Sequence, residues 1–176
     1  MADNRKQDKR TAPGSAANVR KTNAARRLDE LGVAYELLSF EADEDDLSAE
    51  RAAISAGMAP EVVYKTLVVR GDRTGVMEAC IPAGTELDLK ALSSLSGNRS
   101  ASLVPLRSLT PLTGYVRGGC SPIGGRKAYP VFISDEAFGH EKIAINAGSR
   151  GLLFLMSPHD LVRVTGASHG KIARHA

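Results

Sequence analysis

Two features of the sequence could do chemistry. One is Lys65, set in the apolar run Tyr64-Lys65-Thr66-Leu67-Val68-Val69-Arg70, and the other is the stretch Arg117-Gly118-Gly119-Cys120-Ser121-Pro122-Ile123-Gly124-Gly125. An ammonium held against an apolar strand is costly unless an anion satisfies it. If strand alternation puts Lys65 on the face of Leu67 and Val69, the sequence calls for such an anion; if Lys65 lies at a strand edge, its stem can snorkel to water instead. Four glycines and a proline in nine residues exclude a helix or a regular strand. Such a loop is either a plain hairpin connection or a cradle in which backbone N–H groups converge on one oxyanion.

Side-chain catalysis finds little support. His140, His159, His169 and His175 are scattered, with no nucleophile or carboxylate at a recognised spacing, so each reads as a surface residue. The sequence has no GxSxG elbow, Walker loop, GxGxxG after a strand, or HExxH. Cys80 and Cys120 have no CxxC pairing or metal-spaced histidine, which predicts reduced thiols and a cytoplasmic protein without a metal or other cofactor. Cys80 reads as a small core residue and Cys120 as loop packing. The acidic run Glu41–Asp46 lacks the glycine and ligand spacing of a calcium loop and reads as a solvated linker. An enzyme with this inventory would work by backbone electrostatics and substrate positioning.

The elements that must position these features follow from periodicity. Thr22 can cap a helix carrying Ala25, Leu28 and Leu31, with Gly32 as its stop. Ala34–Phe40 reads as a strand, Ser48–Ala56 as a helix closed by Gly57, and Tyr64–Arg70 and Val76–Ile81 as a hairpin across Gly71–Gly75. Leu87–Leu95 reads as a helix stopped by Gly97 and Ala101–Val104 as a strand. A helical turn runs from Pro105 to Gly114. Strands are expected at Val131–Ser134, Lys142–Asn146 and Leu152–Met156, then a helix from Pro158 and a polar tail from Gly166. Interspersed strands and helices predict an α/β chain of α+β character: one domain with a mixed, curled, partly barrel-like sheet flanked by helices.

Charge divides the chain. The sequence has 176 residues and net charge +3; Met1–Arg27 holds eight Lys/Arg against Asp3 and Asp8, a net of +6, which leaves −3 for the rest. Residues 1–21, poor in large apolar types, are expected to be a disordered basic arm, either a nonspecific aid to nucleic-acid binding or a solubilising tail. The folded unit is expected over 22–174. No apolar run approaches a membrane span, and the N-terminus is not signal-like, so a soluble protein is expected.

Five motifs in register then carry a resemblance: Val63-Tyr64-Lys65-Thr66-Leu67, Leu87-Asp88-Leu89-Lys90, Thr113-Gly114-Tyr115, Gly118-Gly119-Cys120-Ser121-Pro122-Ile123-Gly124 and Ala147-Gly148-Ser149-Arg150-Gly151. From about Thr22 to Arg174 the chain resembles the YbaK branch of the prolyl-tRNA synthetase editing-domain superfamily, and within it the cysteinyl-tRNA(Pro) deacylases. The resemblance implies trans-editing of mischarged tRNA, chiefly Cys-tRNA(Pro), with Cys-tRNA(Cys) as a second substrate. The implied route is substrate-assisted: the cysteine thiol attacks its own carbonyl and leaves as a thiolactone. Carried over, Lys65 contacts the 3′ end of the tRNA, while Gly118 and Gly119 offer backbone to the scissile carbonyl. Phe40, Tyr64, Thr66, Ser121, Pro122, Asn146 and Gly148 fall to substrate binding. Implied partners are the acceptor end of aminoacyl-tRNA and prolyl-tRNA synthetase, with the protein a monomer or weak dimer. Phe40, Asn146 and Leu153 depart from the residues relatives often carry (Tyr, Ser and Asp), and these positions bear on amino-acid selectivity. The other reading of an empty acid–base inventory is a non-catalytic module that binds tRNA ends or a synthetase.

Overall fold

A computed structural model describes residues 20–175. Most of the arm expected over residues 1–21 therefore lies outside the described residues. Thr22 caps α1 (Asn23–Glu30), its hydroxyl accepting from Ala25 N–H at 3.1 Å. After β1 (Glu36–Ser39) comes α2 (Ala49–Ser55), capped by Ser48 with Glu50 in its first turn. Pro60 opens a short 3₁₀ turn that delivers the chain into β2 (Val63–Gly71) and its hairpin partner β3 (Gly75–Pro82).

The next stretch departs from expectation. Leu87 ends a three-residue strand, β4 (Thr85–Leu87), and α3 spans Leu89–Ser96 with Asp88 as its cap, accepting from Ala91 N–H at 2.9 Å. β5 (Ala101–Leu103), α4 (Leu109–Thr113), β6 (Val131–Ser134), β7 (Ile143–Asn146), β8 (Leu152–Met156) and α5 (Pro158–Thr165) follow. The C-terminal segment is not a plain polar tail. It forms β9 (Ser168–Gly170) and β10 (Ala173–His175), and Ile172 between them is buried. Three-residue strands that alternate polar side chains give no periodic signal; they exist because β6 and β4 offer free edges.

The main sheet runs β1-β8-β7-β2-β3-β6-β9, with β5 paired to the far end of β2 and a separate β10-β4 ribbon. It is mixed: β2–β7, β3–β6 and β6–β9 are parallel, the remaining pairs antiparallel. Strand alternation sorts the core onto two faces. Tyr64, Cys80, Ile133, Ile145 and Phe154 pack with Ala24, Ala25 and Leu28 of α1 and Leu161 of α5. The opposite face carries Val69, Ile81 and Phe132 against Leu92 of α3, and Val63, Ala144 and Leu153 against Ala53 of α2. Among the described residues no helix is long and apolar enough to cross a membrane.

Candidate active site

β2 is central on one side and interrupted on the other. It pairs with β3 along its whole length, from Tyr64↔Pro82 to Gly71↔Gly75. On its other side β7 reaches only Val63 and Tyr64, while β5 takes over at Val69. The gap between them opens a cavity of about 380 Å³ bordered by Val63–Val68, Asn146 and Leu153, Leu103, Val104, Leu106 and Leu109, the N-terminal turn of α2, and Gly118 and Cys120 of the glycine loop. It is large enough for a small organic ligand.

Lys65 lies on the face of β2 shared by Val63, Leu67 and Val69, the placement for which the sequence called for an anion. The anion is Glu50 from α2, whose carboxylate stands 3.7 Å from the ammonium, and the ammonium also donates to the Ala83 carbonyl at 2.9 Å. Lys65 is 24% exposed and Glu50 48%, so the pair remains open to competing ligands.

The glycine loop covers the other face. Val68, Tyr115 and Cys120 form a small apolar cluster beneath it, and the Tyr115 hydroxyl donates to the Ile123 carbonyl, closing the loop on itself. Gly118 has φ +81, in the left-handed region that favours glycine, and it lines the cavity. Its N–H meets no acceptor among the described residues, whereas the Gly119 N–H donates to the Val116 carbonyl at 2.9 Å. A Cβ on Gly119 would stand 3.2 Å from the Arg150 backbone nitrogen and 3.3 Å from Ser149 backbone atoms. Gly119 is therefore a spacer between two loops rather than part of the cavity wall.

Asn146 ties those loops together. Its Nδ2 donates to the Gly118 carbonyl at 2.9 Å and the Ser149 carbonyl at 3.1 Å, and its Oδ1 accepts from the N–H groups of Gly148 and Ser149. Arg150 adds a second tie, from Nε to the Arg117 carbonyl at 2.8 Å and through its guanidinium to Glu44 at 2.7 Å. Part of the acidic run is thus a clasp: Glu44 holds Arg150, and Asp43 holds Arg51 at 3.1 Å. This role is invisible in the sequence, because each partner lies on a different segment.

Of the residues singled out from the sequence, Lys65, Thr66, Gly118 and Asn146 meet at the cavity. Tyr64 borders it along β2, but its side chain is buried among α1 and α5 residues, with its hydroxyl unpartnered among the described residues and its pKa pushed further up by burial. Phe40 packs beside α2 near a smaller adjoining pocket. Ser121 is buried, its hydroxyl accepting from Ile123 N–H at 3.3 Å, and neither it nor Pro122 lines the cavity. Gly148 is also outside it; a Cβ there would fall 2.9 Å from the Tyr115 ring. Cys120 does border the cavity but is buried, which pushes its thiol up to about 12; Cys80 is buried in the core and free. Leu153 is a buried wall residue.

Two groups escaped sequence reading. Glu78, 5% exposed on β3, is pushed up to about 7 by burial. His169 and His175 are exposed, as read from the sequence, and face Asp135 at 2.6 Å and Glu136 at 3.0 Å, pairings that no sequence spacing reveals.

The mixed sheet interrupted beside Lys65, with a tied glycine loop over the gap, is built by a chain that matches the aminoacyl-tRNA editing domains. The chain belongs to that family: the family model described as "Aminoacyl-tRNA editing domain" matches residues 43–164. It is 40% identical over 152 residues to the "Putative Cys-tRNA(Pro)/Cys-tRNA(Cys) deacylase EbsC" of Enterococcus faecalis (strain ATCC 700802 / V583), covering 86% of this chain and 93% of that protein. In fold it is similar to the crystal structure of "hypothetical protein APE2540", with TM-score 0.79 and 23% identity over 87% of this chain and all of that one. A crystal structure described as "a putative trans-editing enzyme for prolyl tRNA synthetase" superposes with TM-score 0.74 and 23% identity, covering 87% of this chain and 98% of that one.

Proposed function

We propose that the protein is a trans-acting deacylase that hydrolyses cysteine from cysteinyl-tRNA, the mischarged Cys-tRNA(Pro) first and Cys-tRNA(Cys) second. The observation that carries this reading is the near full-length 40% identity to a protein of that name, joined to a cavity in which Lys65 and Gly118 meet. The catalytic unit is residues 22–174, within which the family match at 43–164 falls. The protein works in the cytoplasm on the acceptor end of the tRNA, with prolyl-tRNA synthetase as the partner that presents Pro-type tRNA.

Lys65 anchors the 3′ end through phosphate or ribose, exchanging Glu50 for the ligand's oxygen. The thiol of the bound cysteine attacks its own carbonyl: a C–S bond forms, the ester C–O bond breaks, and the thiol proton passes to the departing ribose oxygen. Water opens the thiolactone afterwards. The carbonyl oxygen gathers negative charge in the first step, and the Gly118 N–H takes it; that N–H meets no acceptor among the described residues and its residue borders the cavity, which supports this role. Gly119 serves by letting the two loops approach. Asn146 holds the Gly118 peptide in place through its carbonyl. No protein nucleophile is required, which fits a cavity whose only thiol, among the described residues, is the buried Cys120.

The test is incubation of the purified chain with Cys-, Ala-, Ser- and Pro-charged tRNA. Cysteine release well above the spontaneous rate, with Pro-tRNA(Pro) spared, is expected. Release no faster than spontaneous would leave a tRNA-end-binding module in place of an enzyme.

A further inference from the structure

The gap in the sheet leaves one peptide edge without a strand. In β2 the even-numbered residues turn their backbone toward the β7/β5 side: Val104 N–H donates to the Val68 carbonyl at 3.1 Å and, just past β2, Asp72 N–H donates to the Ser100 carbonyl at 3.1 Å. Odd-numbered residues turn toward β3, as in the 2.8 Å bond from Ala83 N–H to the Val63 carbonyl. Thr66 lies midway along the interruption, beyond the last β7 pair at Tyr64↔Ile145 and before the first β5 pair at Val69↔Leu103. Its N–H and C=O therefore point into the cavity with no strand among the described residues to pair them, and a half-buried donor and acceptor of this kind need a partner. Beside them stands an aliphatic wall of Leu103, Val104, Leu106 and Leu109, in which Leu103 is 53% exposed and Leu106 60%. Large apolar side chains left open at the mouth of a cavity mark a ligand surface.

Resting on the deacylase reading, we propose that this gap is the seat of the terminal adenine, with the Thr66 N–H and C=O reading the base and Leu103, Val104 and Leu106 covering its ring. Adenine carries an acceptor nitrogen next to the N6 donor, the complement of one backbone N–H and one C=O. Hypoxanthine replaces that donor with an oxygen, which would face the Thr66 carbonyl acceptor to acceptor. The side chain of Thr66 takes no part, since its hydroxyl is directed to Cys80 Sγ at 3.7 Å. Selection for adenine is then a property of the interrupted sheet and survives replacement of Thr66 itself.

The experiment is titration of the full chain with AMP and IMP, which share ribose and phosphate and differ in the base edge. AMP is expected to bind about five-fold or more tightly than IMP. Thr66→Val should keep this preference, and Leu106→Asp, at an exposed position, should weaken AMP binding about five-fold or more. Equal affinities for AMP and IMP, or no binding of either at millimolar concentration, overturn the proposal. The charged-tRNA panel separates this from the underlying reading. Cysteine release without base preference removes the adenine seat and keeps the deacylase, whereas base preference without release keeps the seat and removes the deacylase.

Discussion

The Lys65 ammonium stands 3.7 Å from the Glu50 carboxylate, on the face of β2 that also carries Leu67 and Val69. Glu50 occupies the place an incoming anion needs. Because the pair is partly exposed, it is worth about 1 kcal/mol or less and yields readily to a phosphate. Glu50→Gln is expected to lower KM for charged tRNA about two- to five-fold at low salt, with kcat unchanged, and the gain should shrink as salt rises. A collapse of kcat would instead make Glu50 a general base. Lys65→Ala should reduce kcat/KM about thirty-fold or more while leaving the urea midpoint near that of the parent.

Asn146 makes four hydrogen bonds that hold the glycine loop against the Ala147–Gly151 turn. Asn146→Ala is expected to cost about 1–3 kcal/mol in urea unfolding and to lower kcat more than it raises KM. Asn146→Asp keeps the two acceptor bonds and loses both donors to the Gly118 and Ser149 carbonyls. If Asn146→Asp turns over like the parent, the tie to Gly118 is not what positions the loop.

Gly119 and Gly118 should fail differently. A Cβ at Gly119 meets Ser149–Arg150 backbone at 3.2–3.3 Å, so Gly119→Val should push the loops apart and lower both stability and activity. At Gly118 the cost is conformational, about 1 kcal/mol for Gly118→Ala at φ +81, with a Cβ only 3.2 Å from Leu47 Cδ2. Crystal structures of the two variants, compared with kcat, check the distinction; an unmoved 147–151 turn in Gly119→Val would contradict it.

Glu78 makes stability depend on pH. Burial raises its carboxyl from the ordinary 4.5 to about 7 in the folded protein. Below pH 4.5 both folded and unfolded chains hold the proton, and no penalty arises. Between 4.5 and 7 the unfolded chain loses its proton first, so unfolding is increasingly favoured; above about 7 the loss is complete, roughly 3 kcal/mol. Glu78→Gln should therefore stabilise the protein by about that amount at pH 8 and by little at pH 4, measured by denaturant unfolding at both values. An equal effect at the two pH values would show that shape rather than charge is responsible.

Cys120 borders the cavity with its thiol pushed up to about 12 by burial. Iodoacetamide should leave activity intact over times that fully alkylate the unfolded chain, and Cys120→Ala should retain most turnover. Rapid inactivation, with protection by charged tRNA, would instead make Cys120 a nucleophile.

The sequence by itself determined the local elements and the short inventory of chemistry. Thr22 and Ser48 fix helix starts, Gly97 a helix stop, and β2 and β3 follow from β-branched runs around a tight turn. It also marked Lys65 and Gly118, because an ammonium in an apolar strand and a glycine cluster conflict with what local packing alone would select, whereas Asn146 stood out only through the family resemblance. Tertiary structure decided everything that depends on which segments meet. It turned Tyr64 into the core, supplied Glu50 as the anion for Lys65, and gave Gly119 the Arg150 backbone as its neighbour. It also made strands of Thr85–Leu87 and of two segments in the last ten residues, since a three-residue strand is specified by its partner rather than by its own pattern. Above all it stopped β7 at Tyr64 and began β5 at Val69, so the cavity exists because two strands fail to meet, and no periodicity along one chain segment encodes that gap.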